Sequence, residues 1–192
     1  MSRFWLIRHG QTDWNLEGRW QGQAPHAPTL NATGRAQAVT VAKKLAGHAF
    51  TALYSSDLAR AVETAETISA WIGVPVAVEP RLREVNLGVW EGMRSDELAI
   101  IFSSELRARE IDPVNARPPG GGETAAEVAT RIRAAADDFA ARHPNEDIVL
   151  VSHGLALAAL ICQAQGWPLS EIFERIPENA RALAIHWPPV RS

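Results

Sequence analysis

Short apolar runs alternate along the chain with longer segments in which apolar residues recur at helical spacing. The apolar runs predict five β-strands, at residues 4–7, 52–54, 74–78, 148–151 and 182–187. The segments with helical spacing predict helices at residues 31–47, 55–71, 95–109, 124–142 and 155–165. Strands that alternate with helices are typical of a parallel sheet covered on both faces. We therefore expect an α/β fold, a three-layer α/β/α sandwich with a largely parallel central sheet.

Local signals mark several element ends. Asn31 is a favourable N-cap, and Thr124 with Glu127 matches a capping box. Pro75 lacks a backbone N–H, so the strand at 74–78 should lie at a sheet edge or begin near this residue. Residues 11–31 are polar, contain glycine and show no sustained period, which indicates a functional loop.

The composition narrows the class of protein. The chain has 192 residues, 46% hydrophobic and 21% charged, which predicts a single globular domain over residues 1–192. A net charge of −3 gives no overall basic surface, so we expect no nucleic-acid partner and no membrane binding. The apolar stretches are too short for a transmembrane helix or a signal-peptide core. The single cysteine, Cys162, cannot form an internal disulfide, which favours a cytoplasmic location. For the assembly of the protein, a homodimer is one open option.

Two histidines directly follow predicted strands. His9 comes after the apolar run 4–7 and Arg8, and His153 comes after the run 148–151 and Ser152. Ligands of parallel sheets bind beyond the carboxyl ends of the strands. Both histidines are therefore expected at the same rim of the sheet.

Positive charge is expected at this rim as well. Arg8 adjoins the first histidine, and Arg60 lies near the first turn of the helix that follows the strand 52–54. Two guanidiniums, together with helix N-termini, suit a phosphate or another dianion. A neutral imidazole beside that phosphate can act as a nucleophile, and on spacing alone either histidine could serve.

Phosphate transfer from an alcohol also needs a proton donor. The carboxyl groups near predicted loops or element ends are those of Glu17, Glu84, Glu91 and Glu123. One carboxyl group can protonate the leaving oxygen and later deprotonate water. Glu84 is favoured only modestly, because it follows the strand predicted at 74–78.

A metal site is the main chemical alternative. His9, His153 and Glu84 would also form a ligand set of two histidines and a carboxylate. The neighbouring guanidiniums would repel a divalent cation and favour an anion instead. We therefore expect no metal and no cofactor.

The motifs around these residues resemble the signature of the histidine phosphatase superfamily, the phosphoglycerate mutase-like proteins. The resemblance begins with Arg8-His9-Gly10-Gln11-Thr12, within residues 6–15. It continues through residues 30–34, 54–61, 82–84, 88–92, 119–124 and 151–154. Nearly the whole chain is covered.

The resemblance implies a role for each candidate residue. His9 would be the phosphorylated nucleophile and Glu84 the general acid and base. The phosphate pocket would be formed by Arg8, Arg60 and His153. The remaining substrate-binding residues would be Asn15, which would bind the phosphate, with Gln21, Gly22 and Thr124 near the pocket. From the residues themselves, the aromatic side chain of Trp20 is expected at the pocket mouth.

The segment after Glu84 separates phosphatases from mutases. In this chain Glu84 is followed by Val85-Asn86-Leu87-Gly88, without the arginine and tyrosine of the mutases it resembles. The resemblance therefore implies metal-independent hydrolysis of a small phosphomonoester through a phosphohistidine. A mutase-type phosphotransferase and a catalytically silent phosphate-binding protein are the alternatives.

Substrate identity depends on a variable segment. Residues 93–117 are expected to cover the site, and most of its arginines, Arg94, Arg107, Arg109 and Arg117, are expected to be solvated. His26, in the long loop, is a weaker candidate for substrate contact. Trp5, Trp71 and Trp187 lie on regular elements and are expected in the core.

Overall fold

The computed structural model describes residues 1–187, which form one five-stranded sheet with helices on both faces. The strands are β1 (Ser2–Arg8), β2 (Ala52–Ser55), β3 (Val76–Val78), β4 (Asp147–Ser152) and β5 (Ala182–Trp187). Their order across the sheet is β3-β2-β4-β1-β5. The first four are parallel and β5 is antiparallel to β1. The predicted α/β fold with a largely parallel sheet is confirmed.

Within residues 1–187, seven α-helices connect or flank the strands. They are α1 (Asp13–Leu16), α2 (Ala32–Leu45), α3 (Ala59–Ile72), α4 (Ser95–Ile101), α5 (Ser103–Ile111), α6 (Ala125–Arg142) and α7 (Gly154–Gln165). Short 3₁₀ segments lie at Pro80–Leu82, Gly88–Trp90 and Leu169–Arg175.

Alternate residues of the central strands fill two separate apolar layers. Ile7 and Val149 pack with α2 and α3 on one face of the sheet. Phe4, Leu6 and Leu150 pack with α6 and α7 on the other. This arrangement follows from the period of two in a strand, which sends successive side chains to opposite faces. The expected three layers are therefore present.

The predicted caps are present in the structure. Asn31 Oδ1 accepts a hydrogen bond of 2.9 Å from the Gly34 N–H at the start of α2. Thr124 and Glu127 form the expected capping box at the start of α6. Gly73 ends α3 with φ of 72°, a left-handed conformation that costs glycine little.

Several element bounds differ from the predictions. The helix expected over 95–109 is two helices, because Phe102 leaves helical geometry and packs against the core. The loop expected over 11–31 contains α1, which Thr12 caps. The strand expected over 74–78 begins at Val76, immediately after Pro75. The helix expected over 55–71 begins at Ala59, and the N-cap residue Leu58 makes no side-chain capping hydrogen bond.

The tryptophan predictions are only partly correct. Trp187 is fully buried, whereas Trp71 is 47% exposed on the outer side of α3 and Trp5 is half-buried. Cys162 is buried. Across residues 1–187, no helix is both long and apolar enough to cross a bilayer.

Candidate active site

His9 and His153 lie side by side at the carboxyl ends of two adjacent parallel strands. The parallel pairing of β1 and β4 places Arg8 opposite Ser152, the residues that directly precede the two histidines. The His9 N–H donates to the Ser152 carbonyl over 3.0 Å. The two imidazole centroids are 5.2 Å apart. The side chains are almost completely buried, with exposed fractions of 2% for His9 and 0% for His153. The structure thus brings together the two histidines that the sequence places at strand ends.

The hydrogen bonds of His9 fix which ring nitrogen carries the proton. Nδ1 lies 2.8 Å from the carbonyl oxygen of Gly10, which can only accept. Nδ1 is therefore protonated, and Nε2 keeps its lone pair in the neutral ring. Arg60 donates its Nε–H to that same Nε2 over 3.2 Å. The nucleophilic nitrogen of His9 therefore lies beside a guanidinium.

The surroundings of His9 keep the ring neutral. Burial, followed by the positive charges of Arg60 and Arg8, holds the pKa of His9 well below its ordinary value of 6.5. The Gly10 carbonyl opposes this effect only in part. At neutral pH the imidazole therefore has the free lone pair that a nucleophile needs.

Two arginines lie near this nitrogen, Arg60 buried and Arg8 partly buried. Arg60 is 3% exposed and donates through Nη2 to the Gly22 carbonyl over 2.8 Å. Arg8 donates through Nη1 to the Pro177 carbonyl over 3.0 Å, and its Nε has no partner among residues 1–187. Burial lowers the pKa of Arg60 to about 10, so it stays charged at neutral pH. Buried guanidiniums with unused N–H groups are suited to binding an anion.

His153 lies behind the cavity surface, beside His9 and immediately before α7, and is not itself among the lining residues. Its Nε2 lies 2.8 Å from the Ser56 hydroxyl, while its Nδ1 has no partner within the described part of the chain. Burial, and then the charge of Arg60, holds the pKa of His153 well below 6.5. This imidazole is therefore neutral at rest.

Glu84 is held by the first turn of α7. Its carboxylate accepts hydrogen bonds from the backbone N–H groups of Leu155 and Ala156, each over 3.2 Å, and from that of Val85 over 2.9 Å. Helix N-termini attract carboxylates because of the unpaired N–H groups there. The helix that His153 directly precedes therefore also positions Glu84.

A clamp behind Glu84 holds its backbone. Arg131, on α6, donates to the carbonyls of Arg81, Arg83 and Glu84 over 2.7 to 2.9 Å. The carboxylate of Glu123 pairs with Arg131 over 2.8 Å. Sequence reasoning missed Arg131. A readable signal was present, since an arginine at this position interrupts the apolar face of the predicted helix.

The other candidate proton donors lie elsewhere. Glu123 is engaged in the clamp on Arg131, and Glu91 Oε1 accepts from the backbone N–H groups of Gln23 and Leu87. Glu17 pairs with Arg19 on the outside. Of the four carboxylates considered from sequence, Glu84 is the one that lines the cavity beside His9.

The cavity has a volume of about 770 Å³. Its inner wall includes Arg8, His9, Arg60 and Glu84. Among the other predicted substrate-binding residues, Asn15, Trp20, Gln21 and Gly22 also line it. Asn15 Oδ1 accepts from Thr12, so its NH₂ is the group left for a ligand.

Thr124 and His26, also candidates for substrate contact, lie outside the cavity. Thr124 does not line the cavity, and its hydroxyl accepts the Glu127 N–H as the N-cap of α6. His26 packs edge-on against Trp14 at a centroid distance of 5.3 Å and does not line the cavity either. Both positions reflect local packing of the loops around the site.

Residues 93–117 form the outer wall, as expected for a segment covering the site. Leu106, Arg109 and Pro113 line the cavity from this side. Arg94 and Arg107 are exposed, whereas Arg109, on α5, is half-buried and is an exception to the predicted solvation.

A metal site does not fit these residues. Among the residues described, no group of three or more His, Cys, Asp and Glu side chains is arranged to hold a metal ion. Glu84 accepts three backbone N–H groups, and Arg60 donates to His9 Nε2. The donor set therefore suits an anion, in agreement with the arginines around it.

Comparison with a family model gives a match along almost the whole chain. The model of the histidine phosphatase superfamily (branch 1) matches residues 4–190. The resemblance found in the sequence motifs thus extends from the first strand to beyond the last one.

Relatives and solved structures agree with that match. A protein named "Probable phosphoglycerate mutase GpmB" from Erwinia tasmaniensis is 38% identical over 88% of this chain and 77% of its own. Phosphoserine phosphatase 1 from Hydrogenobacter thermophilus is 31% identical over 97% and 87%. The crystal structure of the alpha-ribazole phosphatase from Shigella flexneri superposes with a TM-score of 0.85 at 29% identity, covering 96% and 90%. Phosphatases and a mutase-like protein are thus among the relatives.

Proposed function

Because the chain belongs to branch 1 of the histidine phosphatase superfamily, we propose that it hydrolyses small phosphomonoesters through a phosphohistidine on His9, without a metal. One observation carries the proposal. The lone-pair nitrogen of His9 lies within hydrogen-bonding distance of Arg60, in a cavity that Arg8 and Glu84 also line.

In the first step, Nε2 of His9 attacks phosphorus and the P–O ester bond breaks. The bonding electron pair leaves with the alcohol oxygen, which takes a proton from the carboxyl group of Glu84. Arg8, Arg60 and the unpaired Nδ1 of His153 surround the phosphoryl oxygens and stabilise their charge. The ring becomes positively charged, and the Gly10 carbonyl continues to accept its Nδ1–H.

In the second step, water attacks the phosphoryl group. The carboxylate of Glu84 takes one proton from this water, the P–N bond breaks, and its electron pair returns to Nε2 of His9. Inorganic phosphate is released and the neutral imidazole is restored. Asn15, through its NH₂ group, and the loop at Gln21 and Gly22 complete the phosphate pocket. Trp20 lies on the wall near the leaving group.

A phosphoglycerate mutase activity is the second candidate, favoured by the relative at 38% identity. A mutase transfers the phosphoryl group from His9 back to an acceptor alcohol instead of to water. In this chain Val85 and Leu87 follow Glu84 and line the cavity with apolar side chains. These two side chains offer no hydrogen bonds to a second phosphate, which favours hydrolysis.

The test is a panel of phosphomonoesters with product analysis. The panel contains 3-phosphoglycerate, phosphoserine, a sugar phosphate, a nucleoside phosphate and an aryl phosphate. We expect release of inorganic phosphate from at least one of them in the presence of a chelator. Isomerisation of 3-phosphoglycerate without phosphate release would assign a mutase instead. Binding of phosphate without turnover of any ester would assign the catalytically silent alternative. The cytoplasmic location, a homodimer, and the absence of nucleic-acid and membrane partners remain predictions.

A further inference from the structure

Arg109 is a cation in the cavity that the proposed phosphate chemistry does not use. It lies on α5, in the outer wall, whereas Arg8 and Arg60 lie at the inner end with His9. Its guanidinium carbon is 4.5 Å from the ring centroid of Phe173 and 5.0 Å from that of Trp20. These contacts hold the charged group against aromatic faces.

Arg109 has no acidic partner within residues 1–187. Neither an ion pair nor a hydrogen bond to a carboxylate acts on it, and burial lowers its pKa to about 10. It nevertheless stays charged at neutral pH. The side chain is half-buried and lines the cavity, so its unused N–H groups are open to a ligand that supplies acceptors.

Neighbouring arginines are paired, which makes Arg109 distinct. Arg19 also lines the cavity, but it pairs with Glu17 over 2.6 Å and donates to the Gly92 carbonyl. Arg117 pairs with Glu127 over 2.5 Å. Of the two arginines that line the cavity away from its inner end, Arg19 and Arg109, it is Arg109 that has no ion pair within residues 1–187 and can bind a second anionic group.

We propose that Arg109 determines specificity by binding a carboxylate on the leaving group of the phosphomonoester. This proposal rests on the proposed function, because it assigns the inner end of the cavity to the phosphate. Between the two ends the wall includes apolar side chains of Val85, Leu106 and Leu155. The substrate would therefore carry a phosphate at one end, a short apolar part, and a carboxylate at the other.

The charge around the outer wall favours a carboxylate over a second phosphate. Glu110 and Glu174 also line the cavity. Their negative charges repel a dianionic phosphate more strongly than a monoanionic carboxylate. The planar fork of a guanidinium also matches the two oxygens of a carboxylate.

The experiment compares ligands that differ only in the second anion. Binding of 4-carboxybenzylphosphonate, its neutral 4-carbamoyl twin and a bisphosphonate analogue is measured by calorimetry, for the wild type and Arg109→Met. We expect the variant to bind the carboxylate ligand about 10- to 100-fold more weakly, the range for a hydrogen bond to a charged group. The carbamoyl ligand should bind the two proteins with nearly equal affinity.

Two further variants separate recognition from structure. Arg107→Met removes an exposed arginine from the same helix and should leave all affinities unchanged. Arg109→Lys retains the charge without the planar fork and should recover part of the carboxylate preference, provided that thermal unfolding shows both variants to be folded. If Arg109→Met weakens the binding of the carboxylate and carbamoyl ligands equally, Arg109 supports the structure of the cavity wall and the proposal is overturned. A selective loss of bisphosphonate binding would also overturn it, since the second anion would then be a phosphate.

The phosphate esters of the same carboxylate and carbamoyl compounds separate the proposed hydrolysis from the proposed role of Arg109. Turnover of these esters tests hydrolysis, whereas the phosphonates report binding whether or not hydrolysis occurs. Absence of turnover together with a charge-selective effect of Arg109→Met would refute the proposed hydrolase and support the role of Arg109. Turnover of the esters without a charge-selective effect of Arg109→Met would support the hydrolase and refute the role of Arg109.

Discussion

The Nε–H of Arg60 points to Nε2 of His9, at a distance of 3.2 Å. Because the Gly10 carbonyl takes the proton of the opposite ring nitrogen, this contact marks the one nitrogen of His9 that can attack phosphorus. Both partners are buried, so their relative position is set by the fold.

Replacement of His9 by alanine is expected to abolish turnover. The variant lacks the nitrogen that forms the phosphoenzyme, and no step of the proposed reaction avoids it. The measurement is phosphate release, together with capture of an acid-labile phosphoprotein by rapid quench. His186→Ala is the control, because His186 is exposed on β5. Turnover by the His9→Ala protein would refute a phosphohistidine at this position.

Replacement of Glu84 by glutamine should slow reactions according to the leaving group. We expect kcat to fall by roughly 10² to 10⁴ for alkyl phosphates, which need a proton on the departing oxygen. Activated aryl phosphates should lose less in their first step, because their leaving groups are stable as anions. Initial rates over a series of leaving groups make the comparison. Equal losses across the series would count against Glu84 as the acid.

Much of this site can be predicted from the sequence because the ends of the strands can be predicted. Apolar runs mark β1 and β4, and in a parallel sheet the residues that follow them meet at one edge. His9, Arg8 and His153 are therefore predictable as a group. On spacing alone the nucleophile stays ambiguous, since the difference between the histidines depends on the Gly10 carbonyl and on Arg60.

Contacts that join distant segments are harder to predict. Arg131 donates to the carbonyl of Glu84, which lies 47 positions earlier in the sequence. The guanidinium of Arg109 packs on the ring of Phe173, which lies on a distant segment. The sequence shows Arg131 as a charge that interrupts the apolar face of its helix, but it does not show which carbonyls Arg131 reaches, and Arg109 leaves no periodic pattern. The break at Phe102 is similar, because the helical composition around it is continuous and tertiary packing decides the bend.

Replacement of Arg131 by methionine tests whether the clamp positions Glu84. The variant removes the donors to the carbonyls of Arg81, Arg83 and Glu84 and deprives Glu123 of its ion pair. We expect kcat to fall about 10-fold or more for alkyl phosphates and less for aryl phosphates, because a shift near 1 Å at a catalytic group is costly.

A matched control lies on the same helix. Arg133, two residues further along α6, is about half exposed, and Arg133→Met should leave kcat unchanged. A uniform fall for both classes of substrate in Arg131→Met, in parallel with lost thermal stability, would mean that the clamp serves the fold alone.

The two buried histidines should make stability depend on pH in a defined direction. Burial, then the charge of Arg60, holds the pKa values of His9 and His153 well below 6.5 in the folded protein. In the unfolded chain both return to about 6.5. Below that pH the unfolded state binds protons that the folded state does not, so the free energy of unfolding falls as the pH falls. Each histidine contributes at most about 1.4 kcal/mol per pH unit between its two pKa values.

Urea unfolding at a series of pH values measures this slope. Carboxylates also lose stabilising interactions on acidification, so the informative quantity is the difference in slope between the wild type and His153→Asn. The substitution removes one titrating group, and we expect the fall in free energy of unfolding between about pH 6.5 and pH 5.5 to become smaller by up to about 1.4 kcal/mol. His186→Asn, at an exposed position, should keep the wild-type slope. If His153→Asn also keeps it, His153 takes up a proton in the folded state, and its description as a neutral member of the phosphate pocket is wrong.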